Sequence, residues 1–360
     1  MKAQLLGTGR ALPGEEVAGA SLDNVAIAGL MGEVRERLAV EAPNLEVLPT
    51  DPSFPERRLG VLRRRYLDTS LTVRDLAIAA AQGALRDSGV EAESIGAVIV
   101  NTTTPSVLSP VTACLVHDAL GLAEDVCAFD QVLGCNGFVG ALYTAEGAVG
   151  RNPKRPNVLV VAAEAMTRIS DASDRTTMPI FGDGAGAAIF GPPEDPTVPG
   201  VWMATRGSSA DRITVGPVAG EHAVYRLGSS EGQGAVYKDS SNRFSVAMQG
   251  QEVFKEMIRF LPPRITAYCE RAKVPLVEID QFLFHQANTR MIVGIAERLI
   301  GEGYEERTPM HLADLGNMSS ASVPVLLDQV RKSGKLGPGK RALLCAFGTG
   351  YSMGVTILEG

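Results

Sequence analysis

Apolar runs of strand length alternate with stretches whose apolar positions recur every three to four residues, and the alternation persists along the chain. Residues 75–88 have helical spacing and lead into the apolar run 95–100 (IGAVIV). The run 126–130 (VCAFD) precedes a stretch in which Phe138, Ala141, Leu142 and Ala145 share one helical face. Residues 158–163 and 185–190 (AGAAIF) read as two more buried strands. The second half repeats the theme. A helix over 246–269 is expected to break or kink near Pro262 and Pro263, and 279–284 (IDQFLF) reads as a strand. Helices follow over 291–300 and 326–332, then a last buried strand over 341–347 (RALLCAF). This pattern predicts an α/β protein, and two halves of similar element order are what duplication of one α/β unit produces. Four prolines between the glycines of 191–200 (GPPEDPTVPG) place the boundary there, giving halves 1–195 and 196–360. Residues 44–65 are less regular and carry five arginines in nine positions (RRLGVLRRR).

Composition narrows the setting. A chain of 360 residues that is 45% hydrophobic and 21% charged excludes intrinsic disorder, a fibrous repeat and a disulfide-stapled miniprotein. Five cysteines, an odd number, do not form a disulfide framework; they predict a reducing, cytoplasmic compartment in which one thiol can do chemistry. The opening MKAQLLGTGRALPG shows no export signal, and the longest apolar run, 158–163, is far short of a membrane span. The net charge of −7 argues against a nucleic-acid partner.

Several short motifs match on paper only. GKLGPGK (334–340) has phosphate-loop spacing, but Arg341 stands where magnesium needs Ser or Thr, and Pro338 removes an amide. It reads as a turn. GDGAG (182–186) precedes a strand instead of following one, so close backbone packing explains it better than a dinucleotide site. GSSEG (228–232) fits a hydrolase elbow around Ser230, yet no helix pattern follows it. The histidines at 117, 222, 285 and 311 lack metal-ligand spacing.

Cys135 is different, because a strand leads to it through Gln131–Gly134 and a helix starts directly after it. A helix N-terminus favours the thiolate, so a lowered thiol pKa is expected there, and Gly134 and Gly137 permit a sharp turn. A buried, inert cysteine is the competing reading. His285 ends the strand IDQFLF, at the kind of strand terminus where α/β proteins place ligands and catalysts, though a structural histidine also fits. Asn317 lies in the loop GNMSSAS before a helix, where asparagine is also an ordinary cap. Gly348-Thr349-Gly350 ends RALLCAF and can bring a backbone amide to a substrate oxygen.

Taken together, PVTACLVHDALGL, FDQVLGCNGF, the segment 160–188 ending FGDGAGAA, FHQANTRMI, GNMSSASVP and AFGTGYSMG resemble β-ketoacyl-acyl carrier protein synthase III of the thiolase superfamily. The order and spacing match from about residue 70 to the C-terminus. The resemblance implies a thiolase-like five-layered αβαβα fold of two duplicated halves, and a homodimer. It gives Cys135 the acyl-accepting role, completes a triad with His285 and Asn317, and makes an oxyanion hole from the backbone amides of Cys135 and Thr349. An acyl thioester would load Cys135. A malonyl thioester would then lose CO₂, and its enolate, held by His285 and Asn317, would attack the acyl group. Acyl-CoA or acyl carrier protein would be the substrate, with no metal and no redox cofactor. Arg175 and Arg290 match positions that contact coenzyme A phosphate and dock the acidic carrier protein, and Phe254 matches an aromatic near the substrate channel.

Three departures bear on substrate. DPSFPERRLGVLRRRY puts Phe54 near the family's adenine-stacking tryptophan after a rebuilt N-terminal segment. Glu297-Arg298 replaces an expected lysine pair, and Arg57, Arg58, Arg63, Arg64 and Arg65 either compensate or form a solvated face and buried ion pairs. Ser109, before Pro110, is small where a bulky residue limits the acyl pocket, which points to a longer or branched acyl chain and a specialised pathway. The competing functions are an acyltransferase to an alcohol or amine, a non-catalytic partner subunit and a cysteine hydrolase. A biosynthetic thiolase would need a second cysteine as base, and Cys345 is one residue out of register, on the opposite strand face.

Overall fold

The computed structural model describes residues 3–41, 49, 51–193, 199–217 and 244–360. The first half supplies β1 (Gln4–Ala11), β2 (Gly19–Asp23), α1 (Asn24–Glu41), α2 (Phe54–Leu59), β3 (Arg63–Leu67) and α3 (Val73–Ser88). It continues with β4 (Ile95–Asn101), α4 (Thr112–Ala119), β5 (Cys127–Gln131), α5 (Gly137–Ala148), β6 (Asn157–Ala165) and β7 (Asp183–Gly191). The second half holds β8 (Trp202–Thr205), β9 (Ile213–Pro217), β10 (Phe244–Met248), α6 (Gly250–Ala272), β11 (Gln281–Phe284) and α7 (Thr289–Leu299). Then come α8 (Tyr304–Arg307), α9 (Leu312–Leu315), α10 (Ser322–Lys332), β12 (Arg341–Gly348) and β13 (Ser352–Glu359).

The duplication is visible in the sheets. One runs β1-β7-β6-β4-β5, the other β8-β13-β12-β11. From the β1 and β8 edges inward, each takes two antiparallel pairings and then a parallel one. Only β5, parallel to β4, lacks a counterpart among the described residues.

Strand alternation turns these sheets into five layers. Along β6, Leu159, Val161 and Ala163 face a core shared with α3 and α4, while Val158, Val160 and Ala162 face α5 and α10. Along β12, Leu344 and Ala346 meet the same α5–α10 layer, and Leu343, Cys345 and Phe347 pack with α6 and α7. Both central helices are therefore sandwiched, and each fully buried Val or Leu side chain contributes about 1.5–3 kcal/mol. Cys345 thus occupies the outer core, the opposite face from the central layer, as its register predicts. Local signals start the covering helices. Thr72 and Asp75 form a capping box on α3, and the Asp130 carboxylate at the end of β5 accepts the Thr112 and Ala113 amides of α4.

Several boundaries differ from the periodicity reading. Residues 244–248 pair with β9 as a strand, so the helix starts later, at Gly250. It then runs unbroken through Pro262 and Pro263, because Val253, Met257, Leu261, Ile265 and Tyr268 bury one continuous face on both sides of them. That burial outweighs a proline cost of about 3 kcal/mol. RALLCAF is followed by one more strand, β13, and α10 begins at Ser322 with Pro324 in its first turn, where its missing N–H costs nothing. Within 44–65 lie α2 and the start of β3. Position 195, His222 and Ser230 lie outside the described residues.

Candidate active site

Cys135 sits in a single 3₁₀ turn, Gly134–Asn136, between β5 and α5. Two glycines let the opposite half close onto this turn. Gly134 has a left-handed φ of 52°, and a Cβ there would lie 2.0 Å from Thr349 Oγ1. A Cβ on Gly348 would lie 2.7 Å from Cys135 Cβ and 2.9 Å from its amide nitrogen. The strand end RALLCAFG and the Cys135 turn are thus in backbone contact, and Cys135 and Thr349 are brought together. Asn101, ending β4, accepts the Leu133 amide and steadies the approach.

Asn317 arrives from the third side. Its backbone bridges Phe181, with its amide bonded to Ile180 and its carbonyl accepting from Gly182. Its Oδ1 accepts the Ser319 amide at 2.8 Å, which leaves Nδ2 as the donor end. Ser319 itself has a left-handed φ of 49°, and its hydroxyl donates to Cys135 Sγ at 3.4 Å. Sequence reading missed Ser319, the side chain that joins Asn317 to Cys135.

His285 is buried at the end of β11, one strand over from Gly348, with its ring edge-on to Phe347 at 5.4 Å and its Nδ1 without a hydrogen-bond partner among the described residues. The rest of HQAN is structural. Gln286 bonds the Phe284 carbonyl and the His311 amide, and Asn288 caps α7 through the Arg290 and Met291 amides.

Electrostatics correct one expectation. Burial pushes the Cys135 thiol up to about 11, the Ser319 hydrogen bond opposes this, and the Glu164 charge adds to it. In the resting protein, desolvation outweighs the helix N-terminus. Burial, with a smaller push from His311, takes His285 down to about 3, so its imidazole is neutral. Glu164, on β6, is a second residue that sequence reading missed. It lies buried among hydroxyl donors from Thr103, Thr104 and Ser320, and burial lifts its carboxyl to about 7. Its signal was available: a lone acid in the apolar strand NVLVVAAEA.

The outer candidates are more dispersed. Phe54 begins α2, which leans on α7: the Arg58 carbonyl accepts from Asn288, and Gly60 abuts Thr289 beside the exposed Arg290. Arg175 is exposed on the 170–182 loop, and Phe254 packs half-buried against the outer core. Ser109 is exposed beside exposed Val107 and Leu108. Among the clustered arginines, Arg64 is fully buried, bonded to Asn24 and the Pro179 carbonyl. Arg57, Arg63 and Arg65 pair with Asp51, Asp314 and Glu15, and Arg58 is exposed.

Two fused α/β halves of one strand order, meeting around a cysteine, a histidine and an asparagine, are the arrangement of a thiolase-superfamily condensing enzyme. Residues 129–207 match the family described as 3-Oxoacyl-[acyl-carrier-protein (ACP)] synthase III, and residues 269–359 match its C-terminal region. Beta-ketoacyl-[acyl-carrier-protein] synthase III of Nitratidesulfovibrio vulgaris is 33% identical over 330 residues, 90% of this chain and 95% of that protein. The solved 3-oxoacyl-[acyl-carrier-protein] synthase III of Aquifex aeolicus is 29% identical, with a TM-score of 0.80 over 99% of this chain and 100% of that one. The priming β-ketosynthase of the R1128 polyketide biosynthetic pathway is 28% identical, with a TM-score of 0.80 over 99% and 95%. The chain belongs to the β-ketoacyl-[acyl-carrier-protein] synthase III family and is an acyl-condensing enzyme of fatty acid or polyketide biosynthesis.

Proposed function

We propose that Cys135 is the nucleophile that accepts the acyl group, with His285 and Asn317 as its partners. The observation that carries this reading is the convergence on one sulfur: Ser319 Oγ stands 3.4 Å from it, and Gly348 presses on its turn from the other half. The Cys135 sulfur attacks the acyl thioester carbonyl, its proton passes to the departing thiol, and the backbone amides of Cys135 and Thr349 hold the oxyanion. A malonyl thioester then loses CO₂. The C–C electron pair becomes an enolate, and neutral His285 and the Asn317 Nδ2 donate to its oxygen. The enolate carbon attacks the acyl carbonyl, and the intermediate expels the Cys135 thiolate to release a β-ketoacyl thioester. Two neutral donors suit an enolate, because neither can quench it with a proton as readily as an imidazolium would.

Phe54, Arg175, Phe254 and Arg290 are assigned to coenzyme A or carrier-protein contact, with Ser109 at the acyl pocket. The chain is taken as two units, 1–195 and 196–360, working in the cytoplasm; its five cysteines are free thiols, which fits a reducing compartment. We assign it a homodimer across the open edge of β5. There Leu108 and Tyr143 are 60% exposed and Val132 is 70% exposed, apolar side chains near a strand that has no second pairing partner among the described residues. The test is intact-protein mass spectrometry with a panel of acyl-CoAs, on wild type and C135A, followed by malonyl-CoA or malonyl carrier protein. A stoichiometric adduct, absent in C135A and discharged as a β-keto product with CO₂, is expected. Discharge only to an alcohol or amine would make the protein an acyltransferase to those acceptors. No adduct from any donor would overturn the assignment of Cys135.

A further inference from the structure

The geometry points to Glu164 as a positioning residue of this site: its carboxylate ties the loop carrying Asn317 and Ser319 to the loop after β4. This rests on Cys135 being the nucleophile. Ser320 Oγ donates to Glu164 Oε1 at 2.6 Å. The Thr103 amide and hydroxyl donate to Oε2 at 3.0 and 2.7 Å, and the Thr104 hydroxyl at 3.3 Å. The two loops are separated by more than two hundred residues in sequence and share this one carboxylate. Ser320 is flanked by Ser319, which reaches Cys135, and lies three residues from Asn317, so fixing Ser320 fixes both.

A purely structural strand position would be filled more cheaply by an apolar residue. Glu164 is instead fully buried, and all four of its donors are uncharged. Burial raises its carboxyl to about 7, and the carboxylate in turn adds to the upward shift of Cys135. Other titratable groups approach from each packed element without replacing it. On β7, Asp183 is taken by the Leu67 and Thr167 amides and the Thr167 hydroxyl. His285 after β11, and His311 before α9, are held neutral by burial. The consequence is a thiol kept protonated, and so unreactive, until a substrate's developing charge is met by the oxyanion amides. Once Cys135 is acylated no thiolate can form there, and the same carboxylate serves only to hold Asn317 in place for the enolate.

The test follows iodoacetamide alkylation of Cys135 against pH in the full chain. Peptide mass mapping separates Cys135 from the exposed Cys114 and Cys127. In E164Q the alkylation midpoint should fall by about one pH unit, since a neighbouring negative charge has been removed. S320A keeps that charge, so its midpoint should not fall below the wild-type value, while kcat for condensation drops about tenfold at unchanged KM. A folded E164Q with the wild-type midpoint would overturn the charge role, and S320A with wild-type kcat would overturn the clamp. Should E164Q fail to fold, S320A decides. Failure of the underlying reading would look different: C135A would still take up acyl groups, whatever the alkylation midpoints.

Discussion

The two halves share strand order and sense but contribute opposite chemistry. In the first sheet, β4 ends in Asn101 and β6 in Glu164-Ala165, and the loop after β5 delivers Cys135. In the second, the matching strand β11 leads to His285 and β12 to Gly348-Thr349. On the proposed roles, the first copy supplies the nucleophile and a buried acid, and the second supplies neutral donors and backbone amides. A single ancestral scaffold offers strand ends at fixed spacing, and duplication lets each copy specialise without moving them. The halves also differ in extent: the first sheet adds β5 beyond β4, whereas the second, among the described residues, ends at β11. If loading belongs to the first half's turn and condensation to the second half's donors, as proposed, their failures should be separable.

The largest separable effect should come from N317A. It removes one enolate donor but leaves the Cys135 turn in place, so acyl loading should persist while condensation falls about a hundredfold to a thousandfold. Stopped-time mass spectrometry of the acyl-enzyme reads the first step, and CO₂ release reads the second. Equal loss in both steps would show that the halves do not divide the chemistry this way.

How much of this division is legible in the sequence depends on range. Cys135, His285 and Thr349 each follow a recognisable strand, and Asn317 lies in a glycine-led loop ahead of a helix, so local pattern marks them as candidates while the resemblance supplies their roles. The buried strands β4, β6 and β7 are equally plain, because sheets covered on both faces need unbroken apolar runs. Ser319 and Glu164 matter through contacts that local pattern does not encode. Ser319 reaches Cys135 across 184 positions, and Glu164 reaches Ser320 across 156. Missed elements share a cause as well. β13 begins directly after the 3₁₀ turn Thr349–Tyr351, and its SMG start resembles loop. β10 carries FSVAM, which merges with the helix that follows it when read by spacing alone. The break expected at Pro262 fails because a long-range core decides it.

G348A should give the next largest effect, and it strikes the seam between the halves. Gly348 has a φ of 177°, extended backbone that alanine adopts freely, so the cost is steric alone. The added methyl would meet Cys135 Cβ at 2.7 Å and must displace the turn. A loss of about 1–3 kcal/mol in stability is expected, with loading slowed at least as much as condensation. Chemical denaturation and the loading assay check it. Wild-type loading in a folded G348A would show that the halves tolerate separation here.

V132D probes the edge formed by β5, the strand without a counterpart in the second sheet among the described residues. Placing a charge in an apolar patch that two copies would share should weaken a dimer by roughly 2 kcal/mol, about a thirtyfold rise in its dissociation constant. Sedimentation at several concentrations reads this. A wild-type protein that sediments as a monomer would leave the open edge without its assigned partner.

The smallest expected effect is in pH dependence, and it sets the halves against each other most directly. In the second half, burial takes His285 to about 3 and His311 to about 4. An unfolded histidine takes up its proton near 6.5, so as pH falls below that value the unfolded chain binds protons first and stability is lost. In the first half, burial raises Asp183 to about 6 and Glu164 to about 7. There the folded protein binds protons first, and stability is gained as pH falls through the same window. The two halves therefore oppose each other between pH 7 and pH 5, and the wild-type dependence should be shallow. H311Q removes one titrating member from one side only. At pH 5 a histidine held at about 4 costs roughly 2 kcal/mol relative to neutral pH, so the difference in unfolding free energy between pH 5 and pH 7 should shift by roughly that amount in favour of pH 5. The quantity to measure is that difference, not the stability at either pH, because it cancels the loss of the His311 bond to the Ser322 carbonyl. An unchanged difference in H311Q would mean that His311 takes up its proton in the folded protein, and the second half would no longer be the neutral one.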